Sequence, residues 1–382
     1  MPNSRKRIAL LVETSLGSGR EILRGIARYA RQCGDWQLFH AAGGLHDPPP
    51  DWINYWDGDG VIARIQNKAM LEELVSLRVP VVDVLGVCEN RFPLVHVNDE
   101  AIAEIAAAHF KERNFRHFAF YGIKGENWSE RRALGFKNAC RDSGTFHILE
   151  TARKPADHAD ERFSQVQQWI ASLPKPVAIM VCSDQRGLEL LEACLSENIP
   201  VPEQVAVVGV DNDTALCEIS DPPLTSVRGG HSNVGFESAA LLDRLIAGDV
   251  SPPDPLLVPP NGIVIRESSD IQAISDPVIA KGIHYIRERL SEPITNDTIA
   301  RAAGVSRTLF QKRFREETGQ SIRTYILERR VERAISLIES TDIPLIEVAE
   351  RTGFRHQEYL GQVVKRATGL TPGILRKKSE RA

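Results

Sequence analysis

No stretch of 18 consecutive apolar residues occurs in this 382-residue chain, so no segment reads as a membrane span. The first apolar run, Ile8–Val12, stops at Glu13 and is too short for the core of a secretion signal. Cysteine is sparse. Cys33, Cys88, Cys140, Cys182, Cys194 and Cys217 are scattered and never spaced C-x-x-C. They read as reduced thiols of a cytoplasmic protein, with neither a disulfide frame nor a zinc site. No G-x-G-x-x-G follows the first apolar run and no phosphate-loop pattern occurs, so a nucleotide is not expected. H-E-x-x-H and G-x-S-x-G are also missing, and the chain carries no set of residues that announces catalysis. The sequence therefore predicts no enzyme, no metal and no cofactor.

Charge is plentiful but unevenly placed. The formal net charge is −4, yet residues 277–382 hold 20 Lys and Arg against 13 Asp and Glu. That leaves 27 basic against 38 acidic residues for the rest, from totals of 47 and 51. A tail at +7 joined to a body at −11 fits a polyanion-binding module attached to one of another kind.

Up to about Ser269, apolar runs of strand length alternate with amphipathic helical stretches. The strands expected are Ile8–Val12, Val61–Ile65, Val79–Leu85, Leu94–Val97, Phe118–Tyr121, Phe146–Leu149, Val177–Val181, Val205–Val210 and Thr225–Val227. A strand pair is expected within Leu256–Ile265, and Asn98 or Asp99 is expected to cap the helix that follows Val97. This alternation predicts parallel sheets covered by helices, and some 260 residues is long for one core. Two lobes with a cleft between them follow, and ligands of such sheets bind beyond the strand carboxyl ends. The prolines at 252, 253, 255, 259 and 260 mark irregular or edge segments.

The last hundred residues have another rhythm. Asp297–Phe310 and Leu345–Phe354 each read as a short helix burying Ile or Val with Ala, a turn at Gly304 or Gly353, and a second helix. A long helix, Ile322–Ile338, joins them. The text I-A-R-A-A-G-V-S-R-T-L-F, I-P-L-I-E-V-A-E-R-T-G-F and Y-L-G-Q-V-V-K-R-A-T-G-L-T-P resembles the DNA-binding domain of arabinose-type (AraC family) regulators. Val364 stands where that family usually has Phe. Ser306 is placed to cap the first reading helix, with Leu309, Phe310 and Phe314 inward and Arg307, Thr308, Gln311 and Lys312 outward. In the second unit His356, Gln357, Glu358 and Gln362 are outward, and Tyr359, Leu360 and Val363 are core. Arg and Gln match base edges, whereas Lys365, Arg366 and the run Arg376-Lys377-Lys378 suit phosphates.

The body also carries a resemblance. V-N-D-E-A, H-F-A-F-Y-G, S-E-R-R-A-L-G-F, V-C-S-D-Q-R-G-L, V-A-V-V-G-V-D-N and P-L-T-S-V resemble the sugar domain shared by the lactose-repressor family and ribose-type periplasmic binding proteins. The fold expected is thus an α/β two-lobed periplasmic-binding-protein-like domain over 1–270, a linker over 271–276, and an all-α domain with two helix-turn-helix units over 277–382. Asp211 ends a strand, where a carboxylate can accept from vicinal hydroxyls, and the resemblance makes it a sugar contact; a turn or cap role is the alternative. The resemblance likewise gives Arg132 to the sugar, with a surface position or an ion pair as the alternative and Arg131 as its solvated neighbour. Ser183 stands where the family commonly has Asn, and Asp184 contacts ligand or caps a helix. Glu13, Thr14, Ser15 and Arg20 are polar groups in the first strand-to-helix loop, and Glu13 and Arg20 join the candidate ligand set. Trp128 offers an apolar face for a sugar ring or a structural contact. His96, His109 and His117 read as structural or surface residues.

The fusion of these two halves is the layout of bacterial xylose-operon regulators. That resemblance implies a homodimer, D-xylose as effector, double-stranded operator DNA as target and, for an activator, RNA polymerase as partner. The rival reading is a sugar-binding or sugar-processing protein of transport or enzyme type with an accessory tail.

Overall fold

The computed structural model describes residues 5–33, 35–44, 47–87, 91–152, 159–249 and 254–379. It divides into two compact units, 1–272 and 273–382. Cys88, Pro252 and Pro253 lie outside the described residues.

The first unit begins with β1 (Lys6–Leu11), α1 (Gly17–Cys33), β2 (Trp36–His40), β3 (Gly60–Ala63), α2 (Lys68–Val75), β4 (Val81–Asp83) and β5 (Val95–Val97). Next come α3 (Asp99–Glu112), β6 (His117–Lys124), α4 (Asn127–Cys140), β7 (Thr145–Ala152), α5 (Ala159–Ser172), β8 (Val177–Val181) and α6 (Asp184–Ser196). It closes with β9 (Val205–Val210), α7 (Thr214–Ile219), β10 (Thr225–Val227), α8 (His231–Ile246), β11 (Leu256–Val258) and β12 (Ile263–Val264).

The strands form two main sheets and one separate pair, β11-β5. The first has the order β2-β1-β3-β4, all parallel. The second has the order β12-β10-β9-β8-β6-β7, parallel except for the β10–β12 edge. Central strands such as β8 and β9 are buried along their whole length, which is why they read as unbroken apolar runs. The expected pair within Leu256–Ile265 does not exist as a hairpin. β11 pairs in parallel with β5 beside the first sheet, and β12 pairs with β10 in the second. The intervening Pro259 and Pro260 carry the chain between sheets.

The topology joins the lobes three times. The chain crosses between β5 and α3, between β10 and α8, and between β11 and β12. α8 follows a strand of the second sheet but packs on α1, β3, β4 and β5 of the first lobe. α1 and α8 cross closely. A Cβ on Gly25 would lie 1.9 Å from Ser232 O, and one on Gly235 would lie 2.0 Å from Ile22 O, so neither position admits a side chain.

The second unit contains α9 (Pro277–Glu288), α10 (Asn296–Ala302), α11 (Arg307–Thr318), α12 (Ile322–Ser340), α13 (Leu345–Arg351), α14 (Gln357–Thr368) and α15 (Pro372–Ser379). Asp276 caps α9, accepting from Val278 N at 2.9 Å with Pro277 in the first turn, where its missing N–H costs nothing. Thr295 and Thr298 form a capping box on α10, and Ser306 caps α11. The turns at Gly304 (φ 77°) and Gly353 (φ 76°) are both left-handed. At Gly353 a Cβ would also meet Leu290 O at 2.6 Å, so this turn needs glycine twice over. Around α12 are two small cores, Phe310 and Phe314 near its start, and Ile338, Val348, Leu360 and Val364 near its end.

Candidate ligand cleft and nucleic-acid interface

A cavity of about 850 Å³ opens between the lobes beyond the carboxyl ends of both sheets. Residues just past strand ends line it: Arg64 after β3, Ser183 after β8 and Asp211 after β9. Ser15, Ser18, His96, Trp128, Arg132 and His231 also face it.

Arg132 is buried and fixed on three sides. Its Nε donates to Asp99 Oδ1 at 2.9 Å, its Nη1 donates to Cys182 O at 2.5 Å, and its Nη2 lies 4.0 Å from Asp211. The guanidinium also sits 5.1 Å from the centre of the Trp128 ring. Burial works against the Arg132 cation, but Asp99 and Asp211 more than offset it and raise its pKa. Burial would likewise raise the Asp99 carboxyl, yet Arg132, His96 and Arg131 hold it well below the usual range. One open alternative is decided here and one expectation is corrected. Asn98, accepting from Ala101 N at 3.0 Å, caps α3, and Asp99 is the buried counter-ion. Arg131 is not simply solvated, since its Nε donates to Asp99 Oδ2 at 2.8 Å.

Asp211 occupies left-handed backbone (φ 103°), followed by Asn212 (φ 52°). Asx residues tolerate this region better than most, which suits a sharp turn off β9. His231 Nε2 lies 2.9 Å from Asp211 Oδ1. Burial would raise the Asp211 carboxyl, but His231 and then Arg132 and Arg64 bring it down to about 2. It is therefore an anion at neutral pH, an acceptor aimed at hydroxyl donors.

The other candidates sit elsewhere. Asp184 does not line the cavity. Its Oδ1 accepts from Ser226 Oγ at 2.6 Å and its Oδ2 accepts from Asp213 N at 2.7 Å, so it braces the turn that carries Asp211. Glu13 is buried against Arg64, and that ion pair presents Arg64 to the cavity. Arg20 pairs with Asp213 and lies outside the cavity lining. His109 is a buried partner of Ser269, at 2.8 Å, whereas His96 lines the cavity beside Asp99.

Arg64, His96 and His231 were not among the residues expected to meet ligand. Arg64 follows an apolar strand just as Asp211 does, so the strand-end rule could have found it. His231 opens a helix after Gly229 and Gly230, and only the tertiary fold brings it to Asp211.

Burial, and then the neighbouring Asp211 charge, push the Asp184 carboxyl up to about 8. A folded pKa above the unfolded value means stability is fully present below about pH 4 and lost as pH rises towards 8. Asp184→Asn should remove that loss. The melting temperature of the variant relative to wild type should rise steadily from pH 4 to pH 8, measured by thermal denaturation. A constant difference would mean that Asp184 is ionised throughout.

In the second unit, Arg307, Thr308, Gln311 and Lys312 on α11 are exposed, as are His356, Gln357, Glu358, Gln362 and Lys365 around α14. Ser306 spends its hydroxyl on the cap, accepting from Leu309 N at 3.4 Å. Arg307 lies 3.4 Å from Asp297 with both side chains more than half exposed, a weak pair that leaves the guanidinium available. Leu309 and Tyr359, expected inside, are 44% and 48% exposed. The helical period explains this. Phe310 and Phe314 are four apart and share the buried stripe, and the residue preceding Phe310 is rotated off it by about 100°. The same rotation separates Tyr359 from Leu360. The side chain of Lys378 lies outside the described residues.

Comparison with known proteins covers every part of this arrangement. Three domain families match: XylR N-terminal domain over residues 7–99, Periplasmic binding protein-like domain over 107–269, and Helix-turn-helix domain over 299–378. A xylose operon regulatory protein of Escherichia coli K12 is 32% identical over 385 aligned residues, covering 97% of each chain. One from Haemophilus influenzae is 30% identical, covering 96% of this chain and 97% of the other. A solved structure described as a xylose-binding transcription activator superposes with a TM-score of 0.85 at 29% identity, covering 99% of both chains.

Proposed function

The chain belongs to the family of xylose operon regulatory proteins, and from that premise we propose that it is a sugar-responsive activator of pentose catabolism genes with D-xylose as effector. The observation that carries this is the joining of a polar interlobe cleft, with Arg132 and Asp211 pre-set 4.0 Å apart, to a helical unit with two exposed reading helices. The residues in hand provide acceptors and donors for vicinal hydroxyls, which fits reversible binding. Arg132, Asp211 and Ser183 are the proposed sugar contacts from the expected set, with Arg64, His96 and His231 added. The family's sequences are those of transcription regulators, not enzymes.

Residues 1–270 are proposed as the effector and dimerisation module, 271–276 as linker, and 277–382 as the DNA-binding module. Closure of the lobes on sugar would alter how two subunits present their tails, provided that sugar binds one arrangement better than the other. Operator DNA and, for an activator, RNA polymerase are the proposed partners, and the cytoplasm is the proposed location. Among the described residues no helix is long and apolar enough to cross a membrane. The test is calorimetric titration of the whole protein with a panel of pentoses and hexoses. D-xylose should bind most tightly. Binding of none of them, or turnover of any, would refute the proposal.

A further inference from the structure

A smaller cavity, about 320 Å³, lies behind the turn that carries Asp211. Asp211 and His231 line both cavities and form the wall between them. Arg20 and Asp213 line only the smaller one. They come from different lobes: Arg20 from α1 beside the first sheet, Asp213 from the loop after β9 of the second.

Arg20 is held at both ends of its guanidinium. Nη1 donates to Thr14 O at 2.8 Å and to Ser15 O at 3.2 Å, in the loop whose Ser15 faces the sugar cleft. Nη2 lies 3.1 Å from Asp213 Oδ2. Asp213 stands at the cap position of α7, yet its side chain makes no capping bond there. Its carboxylate is directed to the other lobe instead, and it is only 12% exposed. Gly17 makes the seat: a Cβ there would lie 2.7 Å from Asp213 Oδ2, a contact no side chain could make without displacing the carboxylate. Asp211 and Asn212 have left-handed backbone, so the turn has little freedom to deliver Asp213 elsewhere. The turn is further pinned by Asp184 on Asp213 N and by Arg266, whose Nη2 donates to Asn212 Oδ1 at 2.9 Å.

We propose that Arg20 and Asp213 are an interlobe latch: positioning residues that hold the Asp211 turn against the first lobe and set how long the sugar stays bound, without touching it. The inference rests on the reading of the main cleft as the sugar site. It replaces the expectation that Arg20 is itself a ligand contact. Parting the lobes must break this ion pair, so its energy adds to the barrier for sugar release and not to the encounter.

Stopped-flow fluorescence with D-xylose on the full chain tests it. Arg20→Ala and Asp213→Asn should each speed dissociation about two- to fivefold, the range of a partly exposed ion pair. Association rate and the order of preference among pentoses should not move. The double variant should be no faster than either single one, because both remove the same contact. Arg20→Lys, which keeps the charge, should recover most of the slow release. Unchanged dissociation in both single variants, additive effects in the double, or no recovery by Arg20→Lys would overturn the latch. An altered preference among pentoses in Arg20→Ala would show that Arg20 touches sugar. If wild-type protein binds no pentose at all, the reading of the cleft has failed, and that is seen before any variant is made.

Discussion

Arg132→Ala should abolish measurable sugar binding and also destabilise the first unit, by up to about 3–5 kcal/mol, because it removes the buried arginine that pairs with a buried carboxylate. That group is Asp99, almost wholly inaccessible and held ionised chiefly by Arg132, with His96 and the partly exposed Arg131 as its remaining partners. Asp211→Asn should behave differently. It keeps shape and tolerance of left-handed backbone but loses the charge, so affinity should fall about 10–150-fold, the cost of a charged hydrogen bond, with the fold retained. Its stability cost has a sign that pH can check. The folded pKa of Asp211 is depressed to about 2, so its contribution is present above about pH 4 and disappears as pH falls through 2. Calorimetry and denaturation of both variants separate the two cases. Arg132→Ala with wild-type stability would mean that Asp99 is neutral or re-paired, and sugar affinity unchanged from wild type in both variants would move the site elsewhere.

The second large effect concerns DNA. α12 is 19 residues long and so spans about 28 Å, and the two reading helices pack against its opposite halves. That separation approaches one turn of duplex, roughly 34 Å, and favours two successive major grooves read by one chain. Arg307→Ala and Gln311→Ala should each relax base preference at one or two positions, by about 1–3 kcal/mol. Gln357→Ala and Gln362→Ala should do so at a different patch, about ten base pairs away. Lys377→Ala, beyond the last reading helix, should weaken all DNA alike and lower the salt slope by about one for a lost phosphate contact. Binding to a randomised operator library reads these outcomes. A single contiguous patch altered by both units would leave α14 as a scaffold.

The buried parts of the fold were readable because burial on both faces leaves unbroken apolar runs, as in Val177–Val181 and Val205–Val210. Short or exposed elements were not. β2 alternates with exposed positions, and α7 is only six residues long. Capping chemistry placed Ser306 correctly but could not choose between Asn98 and Asp99, since both residue types cap well and only tertiary contacts assign Asp99 to Arg132. In the cleft, Arg132, Ser183 and Asp211 do meet at one cavity. Glu13, Asp184 and Arg20 have the same local signature, a polar group at a strand end, but face neighbouring side chains instead. Strand-end position fixes the neighbourhood of a side chain and leaves its direction to packing. His231 lacked any local signal, because it is brought to Asp211 by α8 crossing to the other lobe.

The central claim is that sugar in the cleft controls what the helical unit does on DNA. The most direct measurement is fluorescence anisotropy of a labelled operator, titrated with the full chain with and without saturating D-xylose, for wild type and Asp211→Asn. The account predicts that D-xylose shifts the operator affinity of wild type by about 5–150-fold, a typical coupling of 1–3 kcal/mol, and that Asp211→Asn needs about 10–150-fold more sugar for the same shift. Operator affinity in wild type that is identical with and without saturating D-xylose would contradict it.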